Sequence, residues 1–486
     1  MLSDHAAPST RRRWLVLVVL GLTQLMVALD ATVINIALPR AQVALHFSAG
    51  DRQWAVTAYA LAFGSLLLIG GRLGDLWGRR TALVVGLVGF AIASAVGGFA
   101  SNFTELVAAR AVQGVFSAIL APAALAALTT TFTDRDERAR AFTIYGALAG
   151  SGAAIGLILG GALTQWASWR WCLLINVIFA AVALVGVVWL IESRPGAKPA
   201  NLDVIGAVLV SAGLFAIVFG LAHAVTATWA SVVTIGSLVA GVALLSAFLR
   251  WQRRSDHPLL PLSVVFARTR GGSMVALFIT MVGFFGVSLL LAYYLQNELG
   301  YSPLRTGFAF LPMVVALGFS AMLASARILA VSGPRPLIPA GMLLGALSMV
   351  LLTRLPERAN YFGTVLPSLI LLGLGLGLIF APATASATAG VAPSRAGVAS
   401  AMVNSSQQIG GSVGTALLNT IAVTVAGRAL AHSSGATASA QAAATLHGYS
   451  IAFWWAAGIF FAGSIFTMIV LESGAPELTV EGTAGA

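Results

Sequence analysis

Charged residues are scarce in this sequence. They make up 9% of its 486 residues, whereas hydrophobic residues make up 58%, and the mean hydropathy is +0.92. Soluble globular domains carry about 25% charged residues. The shortage of charge therefore excludes an ordinary soluble domain and indicates an integral membrane protein. Its apolar runs are unbroken instead of alternating, which favours membrane helices over a membrane β-barrel.

Reactive and metal-binding side chains are also few. The single cysteine, Cys172, excludes an intramolecular disulfide and any multi-cysteine metal site, and we expect it to pack between helices. The sole lysine, Lys198, is not part of a phosphate-binding G-x-x-x-x-G-K-[ST] loop, which disfavours an ATP-driven pump. The six histidines fall at termini or loop edges. We therefore expect no enzyme, no cofactor and no metal site.

Fourteen apolar runs reach the length of a membrane helix. The first follows three arginines, as in a signal peptide, but it is too long and lacks a small-residue cleavage site, so we predict an uncleaved span. The runs lie at about 14–38, 52–70, 81–100, 104–126, 140–163, 170–191, 203–225, 229–250, 271–297, 304–329, 337–354, 361–386, 397–427 and 449–471.

The positive charges indicate how the chain crosses the membrane. An even number of spans puts both termini on one side, and most of the 27 basic residues fall in loops on that side. The positive-inside rule then predicts cytoplasmic termini and a multi-pass protein of the cell (inner) membrane. Because the charges are dispersed among short loops, the net charge of +11 does not predict a nucleic-acid partner.

Asp30 is a single carboxylate in the first apolar run. A charged group deep in hydrocarbon costs about 2.5–3.5 kcal/mol, and such a group usually marks a proton or substrate site. The alternative is a charge that reaches water at the end of its helix. However, the run continues for roughly 12 Å beyond Asp30, to Leu38-Pro39. We therefore predict that Asp30 is functional.

A short glycine-rich and basic loop occurs twice. The loop G-R-L-G-D-L-W-G-R-R at 71–80 joins spans two and three, and a weaker copy, G-P-R-P at 333–336, joins spans ten and eleven. The pattern indicates an internal repeat. Two six-span halves with a site at their midplane interface are typical of secondary transporters. The predicted parts are an N-terminal half at 1–195, a two-helix central insertion at 196–256, a C-terminal half at 257–475 and a cytoplasmic tail at 476–486.

The loop at 71–80 has the form G-x-L-G-D-x-x-G-R-R, and by its pattern and position it resembles the signature loop of the major facilitator superfamily. The resemblance implies an all-α membrane fold whose two halves rock to give alternating access. We expect Gly71 and Gly78 to permit a tight turn. We also expect Asp75, Arg79 and Arg80 to pair with helix ends of the other half and to latch one conformation.

Two further motifs resemble the fourteen-span drug:proton antiporters of that superfamily. Span one reads L-D-A-T-V-I-N-I-A-L-P at 29–39, and span six contains W-R-W at 169–171 and I-N-V at 175–177. The two extra central spans agree with this subfamily. The similarity runs from span one to span thirteen, and it implies transport driven by a proton gradient without a cofactor.

Arg110 and Gln113 in span four match the superfamily pattern R-x-x-Q-G. Arg110 lies roughly 9 Å below the outer end of its span, at a depth similar to that of Asp30. The resemblance implies that spans one and four are neighbours, so we predict that Asp30 and Arg110 together couple transport to protons. A static structural pair is the alternative, and it would never need to release a proton.

Span five carries a stripe of glycines that resembles the antiporter motif G-x-x-x-G-P-x-x-G-G, although Leu157 replaces the proline. Glycines four residues apart make a groove that allows close helix approach, whereas a proline would kink the helix. We predict a conformational role for this stripe, which consists of Gly152, Gly156, Gly160 and Gly161.

Span thirteen carries a stripe of amides, Asn404, Gln407 and Gln408. They either contact substrate in a central cavity or bond neighbouring helices. The resemblance implies that some relatives carry acids in this span for doubly charged cations, so the absence of a carboxylate here favours neutral or singly charged substrates. Aromatic rings bordering the cavity would suit an organic cation. The other predicted substrate contacts are Asp30, Asn35, Tyr59, Gln113 and Tyr293.

The leading prediction is a proton-coupled exporter of amphipathic, cationic or neutral, drugs or toxic compounds. A dedicated exporter of a lipid, a siderophore or an endogenous antibiotic would have the same fold and coupling. A receptor or structural membrane protein would leave Asp30 and Arg110 unexplained. The predicted partners are small amphipathic molecules, protons and the lipid bilayer, and the predicted protein is a monomer.

Overall fold

Every regular element in the described part of the chain is helical. The computed structural model describes residues 10–48, 50–132, 134–192, 203–224, 228–255, 258, 267–324, 332–355, 361–389, 396–431 and 437–474. Within these residues, 12 helices are long and apolar enough to cross a membrane, and shorter apolar segments lie at Trp54–Leu67 and Ile155–Trp166. The prediction of an all-α membrane protein is confirmed.

The described helices follow one another along the chain. Two π turns adjoin helices, Tyr294–Glu298 after the helix that ends at Tyr293 and Tyr361–Val365 before the helix that begins at Leu366. The helices are α1 Thr10–Leu45, α2 Trp54–Trp77, α3 Arg79–Gly98, α4 Phe103–Thr131, α5 Arg135–Trp166, α6 Trp171–Leu190, α7 Val204–His223, α8 Val232–Gln252, α9 Arg268–Tyr293, α10a Pro303–Ala309, α10b Leu311–Leu323, α11 Pro334–Leu352, α12 Leu366–Thr388, α13 Ala396–Ala431 and α14 Ala438–Val470.

The first helix is longer than its apolar run predicts. The expected end was at Leu38-Pro39, but α1 continues through Pro39 to Leu45. Proline is tolerated inside membrane helices, where neighbouring helices and side chains satisfy the backbone groups that it frees. Asp30 consequently lies near the middle of α1 and far from either helix end, which removes the interpretation of a helix-end charge.

The helices pack in the same order in two parts of the chain. In the first half, α1 packs on α5, α2 and α3 pack on α4, and α3 packs on α6. In the second half, α9 packs on α13, α10b and α11 pack on α12, and α11 packs on α14. We call α1–α6 the N-terminal half and α9–α14 the C-terminal half. The halves also meet in equivalent ways, since α2 packs on α13 and α10a packs on α5.

The two glycine loops are equivalent in detail. Gly78 precedes α3 with φ of 82°, and Gly333 precedes α11 with φ of 72°, a conformation that favours glycine. Two residues after each glycine, an arginine reaches the last helix of its own half. Arg80 Nη2 donates to the Val188 carbonyl at 2.9 Å, and Arg335 Nε donates to the Met468 carbonyl at 3.2 Å.

The pair α7–α8 packs outside the repeat as a hairpin. Its α7 contacts both halves. Ser211 Oγ donates to the Ser65 carbonyl of α2 at 2.9 Å, and Thr420 Oγ1 of α13 donates to the Leu221 carbonyl at 3.1 Å. The inserted hairpin therefore lies along one of the two equivalent junctions between the halves.

Hydrogen bonds join the halves at the end of the bundle where α1 ends and α2 begins, which we call the closed face. Three such bonds connect Tyr293 to Gln42, Gln296 to the Ile36 carbonyl, and the Leu304 amide to Gln165. Two more connect Asn419 of α13 to Arg52 and Gln53. At the opposite face, the bonds of Arg80 and Arg335 stay within their own halves.

Candidate functional site

Asp30 and Arg110 form a salt bridge inside the N-terminal half. Arg110 Nη1 donates to Asp30 Oδ2 at 2.6 Å, and both side chains are 0% exposed. The predicted proximity of the two residues is confirmed. Each charge is costly in an apolar interior without the other, so separating α1 from α4 or removing one partner would leave an unpaired buried charge.

Neutral side chains complete the surroundings of the carboxylate. Asn176 Nδ2 on α6 donates to Asp30 Oδ1 at 2.7 Å, and Gln113 Nε2 approaches the same oxygen at 3.4 Å. Gln113 also accepts a bond from Arg110 at 3.0 Å and donates to Ser94 Oγ on α3 at 2.7 Å. One salt bridge and two amides thus connect α1, α3, α4 and α6.

The guanidinium has a second set of contacts on α2. Arg110 Nε donates to the Ala55 carbonyl at 3.0 Å, and its Cζ lies 4.4 Å from the ring centroid of Tyr59. Arg110 Nη2 has no hydrogen-bond partner among the described residues. We call Asp30, Ser94, Arg110, Gln113 and Asn176, together with the Tyr59 ring, the charge network. All of its members belong to the N-terminal half.

The charge network contains two residues that were not predicted as site residues, Ser94 and Asn176. A single serine or asparagine in an apolar helix is compatible with many packing roles. The signal for Asn176 was its place in the I-N-V motif of span six. Ser94 lies in a run of small and apolar residues that has no comparable signal.

We predict that Asn176→Ala destabilises the protein. The change removes the donor at 2.7 Å from Asp30 Oδ1 and leaves a fully buried carboxylate oxygen short of a partner. The expected loss is about 1–3 kcal/mol, which is typical for an unsatisfied buried polar group. Thermal unfolding of the purified protein measures it, and Asn297→Ala, at an exposed amide, is the control. Equal stability of the two variants would contradict the assigned bond.

The glycine stripe of α5 packs directly on the helix that carries Asp30. A Cβ atom added to Gly152 would lie 2.7 Å from Ala28 Cβ, and one added to Gly160 would lie 2.8 Å from the Val33 carbonyl oxygen. Gly156 lies between them, where an added Cβ would be 2.9 Å from the Leu29 carbonyl oxygen. The predicted close approach of two helices is confirmed.

The same helix also contacts the other half. A Cβ atom added to Gly161 would lie 2.6 Å from the Pro303 carbonyl oxygen of α10a. Reciprocally, one added to Gly307 would lie 2.5 Å from the Leu157 carbonyl oxygen. Leu157, which stands where the family motif has proline, is part of an unbroken helix α5. Consequently α5 connects the neighbourhood of Asp30 to the closed face.

The residues predicted to bind substrate lie in four different places, one of which is the junction of α2 and α13. Tyr59 and Gln113 belong to the charge network, and Tyr293 lies at the closed face with its hydroxyl on Gln42. Asn35 is buried on α1, and its Oδ1 has no hydrogen-bond partner among the described residues. The structure therefore does not bring these residues together into one pocket in this conformation.

The amides of α13 lie nearer to the meeting of the halves. A Cβ atom added to Gly64 of α2 would lie 3.1 Å from Gln408 Cβ, so Gln408 is at the junction of α2 and α13. Asn404 and Gln407 are half-buried on the same helix. This placement is compatible with both roles considered for the stripe, because a helix junction borders the space between the halves.

The loop between α2 and α3 contacts its own half. Arg79 donates to Thr130 Oγ1 of α4, and Arg80 donates to α6. Both bonds stay within the N-terminal half, and the pairing of these arginines with helix ends of the other half stays a prediction.

Gly71 lies inside α2, so the expectation that it permits a tight turn is wrong, whereas Gly78 lies at the turn before α3. Gly71 instead lies against α4, where an added Cβ atom would be 3.5 Å from Pro122 Cβ. The side chain of Asp75 lies outside the described residues.

Comparisons with known proteins agree with this architecture. The family model of the Major Facilitator Superfamily matches residues 20–415. A bacterial homolog of the human lysosomal transporter Spinster, solved in an inward-facing and unoccupied conformation, aligns with a TM-score of 0.64 at 17% identity, over 95% of this chain and 97% of that one. That likeness concerns the fold.

Similar proteins include several named for antibiotic resistance or export. The puromycin resistance protein of Streptomyces alboniger is 46% identical over 95% of this chain and 92% of the relative. The cephamycin export protein of Amycolatopsis lactamdurans is 35% identical over 82% of each. The tetracenomycin C resistance and export protein of Streptomyces glaucescens is 34% identical over 84% of this chain and 76% of the relative. The chain thus belongs to the major facilitator superfamily and is a membrane transporter, not an enzyme.

Proposed function

We propose that this transporter exports amphipathic, drug-like compounds in exchange for protons. The observation that carries the proposal is the fully buried Asp30–Arg110 pair with its amide partners. Transport driven by a proton gradient requires a group that takes up and releases a proton within the protein. Ionisable residues inside membrane helices commonly form proton relays in transporters. Asp30 is the carboxylate of the charge network and therefore the proposed proton carrier.

We further propose fourteen spans with both termini in the cytoplasm. The two segments that fall short on apolar length are parts of long helices, since α2 has 24 residues and α5 has 32. At 1.5 Å per residue these helices are about 36 Å and 48 Å long, enough to cross a hydrocarbon core of about 30 Å. The basic loops favour cytoplasmic termini. The closed face is then the outer face, and the described state opens inward.

The burial of Asp30 supports indirect coupling. Asp30 is 0% exposed and all of its described partners belong to the N-terminal half. A proton that binds Asp30 removes the charge that balances Arg110, and a buried unbalanced charge is costly. This cost favours a different packing of α1, α4 and α6 when Asp30 is protonated. In this proposal the proton alters helix packing, and direct competition between proton and substrate for Asp30 is not needed.

The proposed substrates are neutral or singly charged antibiotics and similar compounds. The relatives are named for resistance to or export of puromycin, cephamycin and tetracenomycin C. The junction helix α13 offers amides and hydroxyls, and no carboxylate occurs in its sequence. A dedicated exporter of an endogenous antibiotic fits these relatives equally well. Accumulation of one metabolite inside cells that lack the gene, without broad drug sensitivity, would favour that dedicated role.

Inside-out membrane vesicles test the proposal. We expect an inwardly acidic gradient to drive accumulation of puromycin or of a monovalent dye, with little accumulation of a divalent biocide, because no described carboxylate lies on the junction helix. An uncoupler should reduce the accumulation to that of vesicles without the protein. Accumulation that persists after the proton gradient has collapsed would contradict proton coupling. Accumulation of divalent compounds alone would contradict the proposed substrate class.

A further inference from the structure

Arg52 is a buried arginine at the junction of the two halves. It lies in the short connection between α1 and α2, and its side chain is only 4% exposed. Its Nε donates to Asn419 Oδ1 of α13 at 2.7 Å, and its Cζ lies 4.1 Å from the ring centroid of Tyr293 of α9. One side chain of the N-terminal half thus contacts two helices of the C-terminal half.

The partners of Arg52 are tied back to the N-terminal half. Tyr293 donates its hydroxyl proton to Gln42 Oε1 at 2.8 Å, and Asn419 Nδ2 donates to Gln53 Oε1 at 3.2 Å. We call these five residues, Gln42, Arg52, Gln53, Tyr293 and Asn419, the outer latch. It is distinct from the charge network, which lies within one half.

The chemistry of the outer latch suits repeated opening. No carboxylate lies within salt-bridge distance of Arg52 in the described part of the chain. Its charge is held instead by an amide oxygen and by the negative face of an aromatic ring. Separating a buried ion pair breaks the attraction between two opposite charges. Opening the outer latch breaks only the contacts of one cation, Arg52, with neutral groups, and water then solvates that cation. Neutral partners therefore favour contacts that form and break in each cycle.

The two helices beside the outer latch, α2 and α13, also meet in a way that favours repeated opening. Gln53 meets Asn419, and Gly64 meets Gln408 after equal steps along α2 and α13, so the two helices run antiparallel in one register. That register places Thr57 level with Thr415. Both hydroxyl oxygens are fully buried without a hydrogen-bond partner among the described residues. Since unsatisfied buried polar groups oppose burial, opening this junction to water regains hydrogen bonds.

We propose that Arg52 is a positioning residue that holds the outer face closed while the transporter opens inward, and that it releases Tyr293 and Asn419 each time the outer face opens. The proposal rests on alternating access between the two halves. It does not depend on which ion drives transport or on which compound is carried.

Distance measurements between spin labels test this proposal without substrate or proton gradient. The labels go on cysteines introduced at Val43 of α1 and Ala431 of α13, which are exposed near the closed face and lie in different halves, in a Cys172→Ser background. In the parent protein we expect mainly a short distance. We expect Arg52→Ala to raise the ratio of long to short distances by at least about tenfold, as loss of a charged hydrogen bond and a cation–π contact implies.

Two further variants complete the test: one is expected to change the distances in the opposite direction, and the other is a control. Asn419→Asp offers Arg52 a carboxylate, so we expect a larger short-distance population and slower transport. Arg40→Ala removes an exposed arginine of α1 and should leave the distances unchanged. The proposal is overturned if Arg52→Ala gives the same distances as Arg40→Ala, or if Asn419→Asp opens the outer face. Loss of proton coupling with an intact response of these distances would refute the proposed function alone.

Discussion

Replacing Asp30 by asparagine is expected to abolish proton-driven export. The variant keeps the size of the side chain but removes the only carboxylate of the charge network, so no proton can be taken up or released there. Substrate should still move down its own concentration gradient. The measurement compares uphill accumulation in vesicles under an imposed proton gradient with downhill exchange in its absence. Full uphill transport by Asp30→Asn would refute the role assigned to Asp30.

Stability has to be separated from coupling in this experiment. Asp30→Asn leaves the Arg110 guanidinium buried with no opposite charge, and breaking one partner of a buried pair costs about 3–5 kcal/mol. A loss of transport could then reflect unfolding. Replacing both partners by neutral groups is often close to neutral for stability. The double variant Asp30→Asn with Arg110→Gln is therefore the matched control.

The double variant distinguishes a proton carrier from a static pair. If Asp30 only stabilises the fold, the double variant regains both stability and uphill transport. If Asp30 carries the proton, the double variant regains its melting temperature but not uphill transport. Purified protein serves for thermal unfolding, and vesicles from the same cells serve for transport. We expect recovery of stability alone.

Much of the charge network could be predicted from the sequence, because charge is rare in apolar helices. Asp30 and Arg110 were each conspicuous in a membrane-length run, and an unpaired charge there is expensive. Their meeting could be inferred only through a family resemblance, since sequence distance says nothing about which helices are neighbours. Asn176 was missed as a ligand of Asp30 because amides in membrane helices serve many contacts.

The outer latch was not predicted from the sequence, and the reason differs from the reason for Asn176. Arg52 stands near a helix start beside polar residues, where an arginine is ordinarily solvated. Its burial follows from the approach of α9 and α13, which are far away in the chain. Tyr293 was selected for its aromatic ring, but its ring is covered by Arg52 in this state. Local pattern fixes which residues are polar, whereas the register between the halves decides what they contact.

Helix α1 connects the charge network with the outer latch. Asp30 lies near its middle, and Gln42 lies near its end, where it accepts the hydroxyl proton of Tyr293. A shift of α1 along α5 would move both residues together. The glycines of α5 contribute no side chains to that junction, so the backbone and the small side chains of α1 lie directly against α5. The α1–α5 junction is therefore the place where a change at Asp30 would be transmitted.

Gly156→Ala is expected to disrupt that junction. The new Cβ atom would lie 2.9 Å from the Leu29 carbonyl oxygen and even closer to Thr32 Oγ1, so α1 and α5 must move apart. Overpacking of this kind costs about 1–3 kcal/mol. Leu29 directly precedes Asp30, so displacement of its backbone also disturbs the 2.6 Å bond to Arg110. We therefore expect a lower melting temperature and a larger loss of transport than the change in stability alone would produce.

A matched glycine isolates the steric effect. Gly318 also lies inside a helix, α10b, but a Cβ atom added there would meet nothing within 4 Å. Gly318→Ala shares any gain in helix propensity with Gly156→Ala and lacks the clash. Combining Gly156→Ala with Thr32→Ala removes the hydroxyl contact and leaves the backbone contact with Leu29, so the rescue should be partial. Equal behaviour of Gly156→Ala and Gly318→Ala would refute close packing of α5 on α1. Full rescue by Thr32→Ala would show that only the Thr32 side chain, and not the backbone of α1, limits the approach of the two helices.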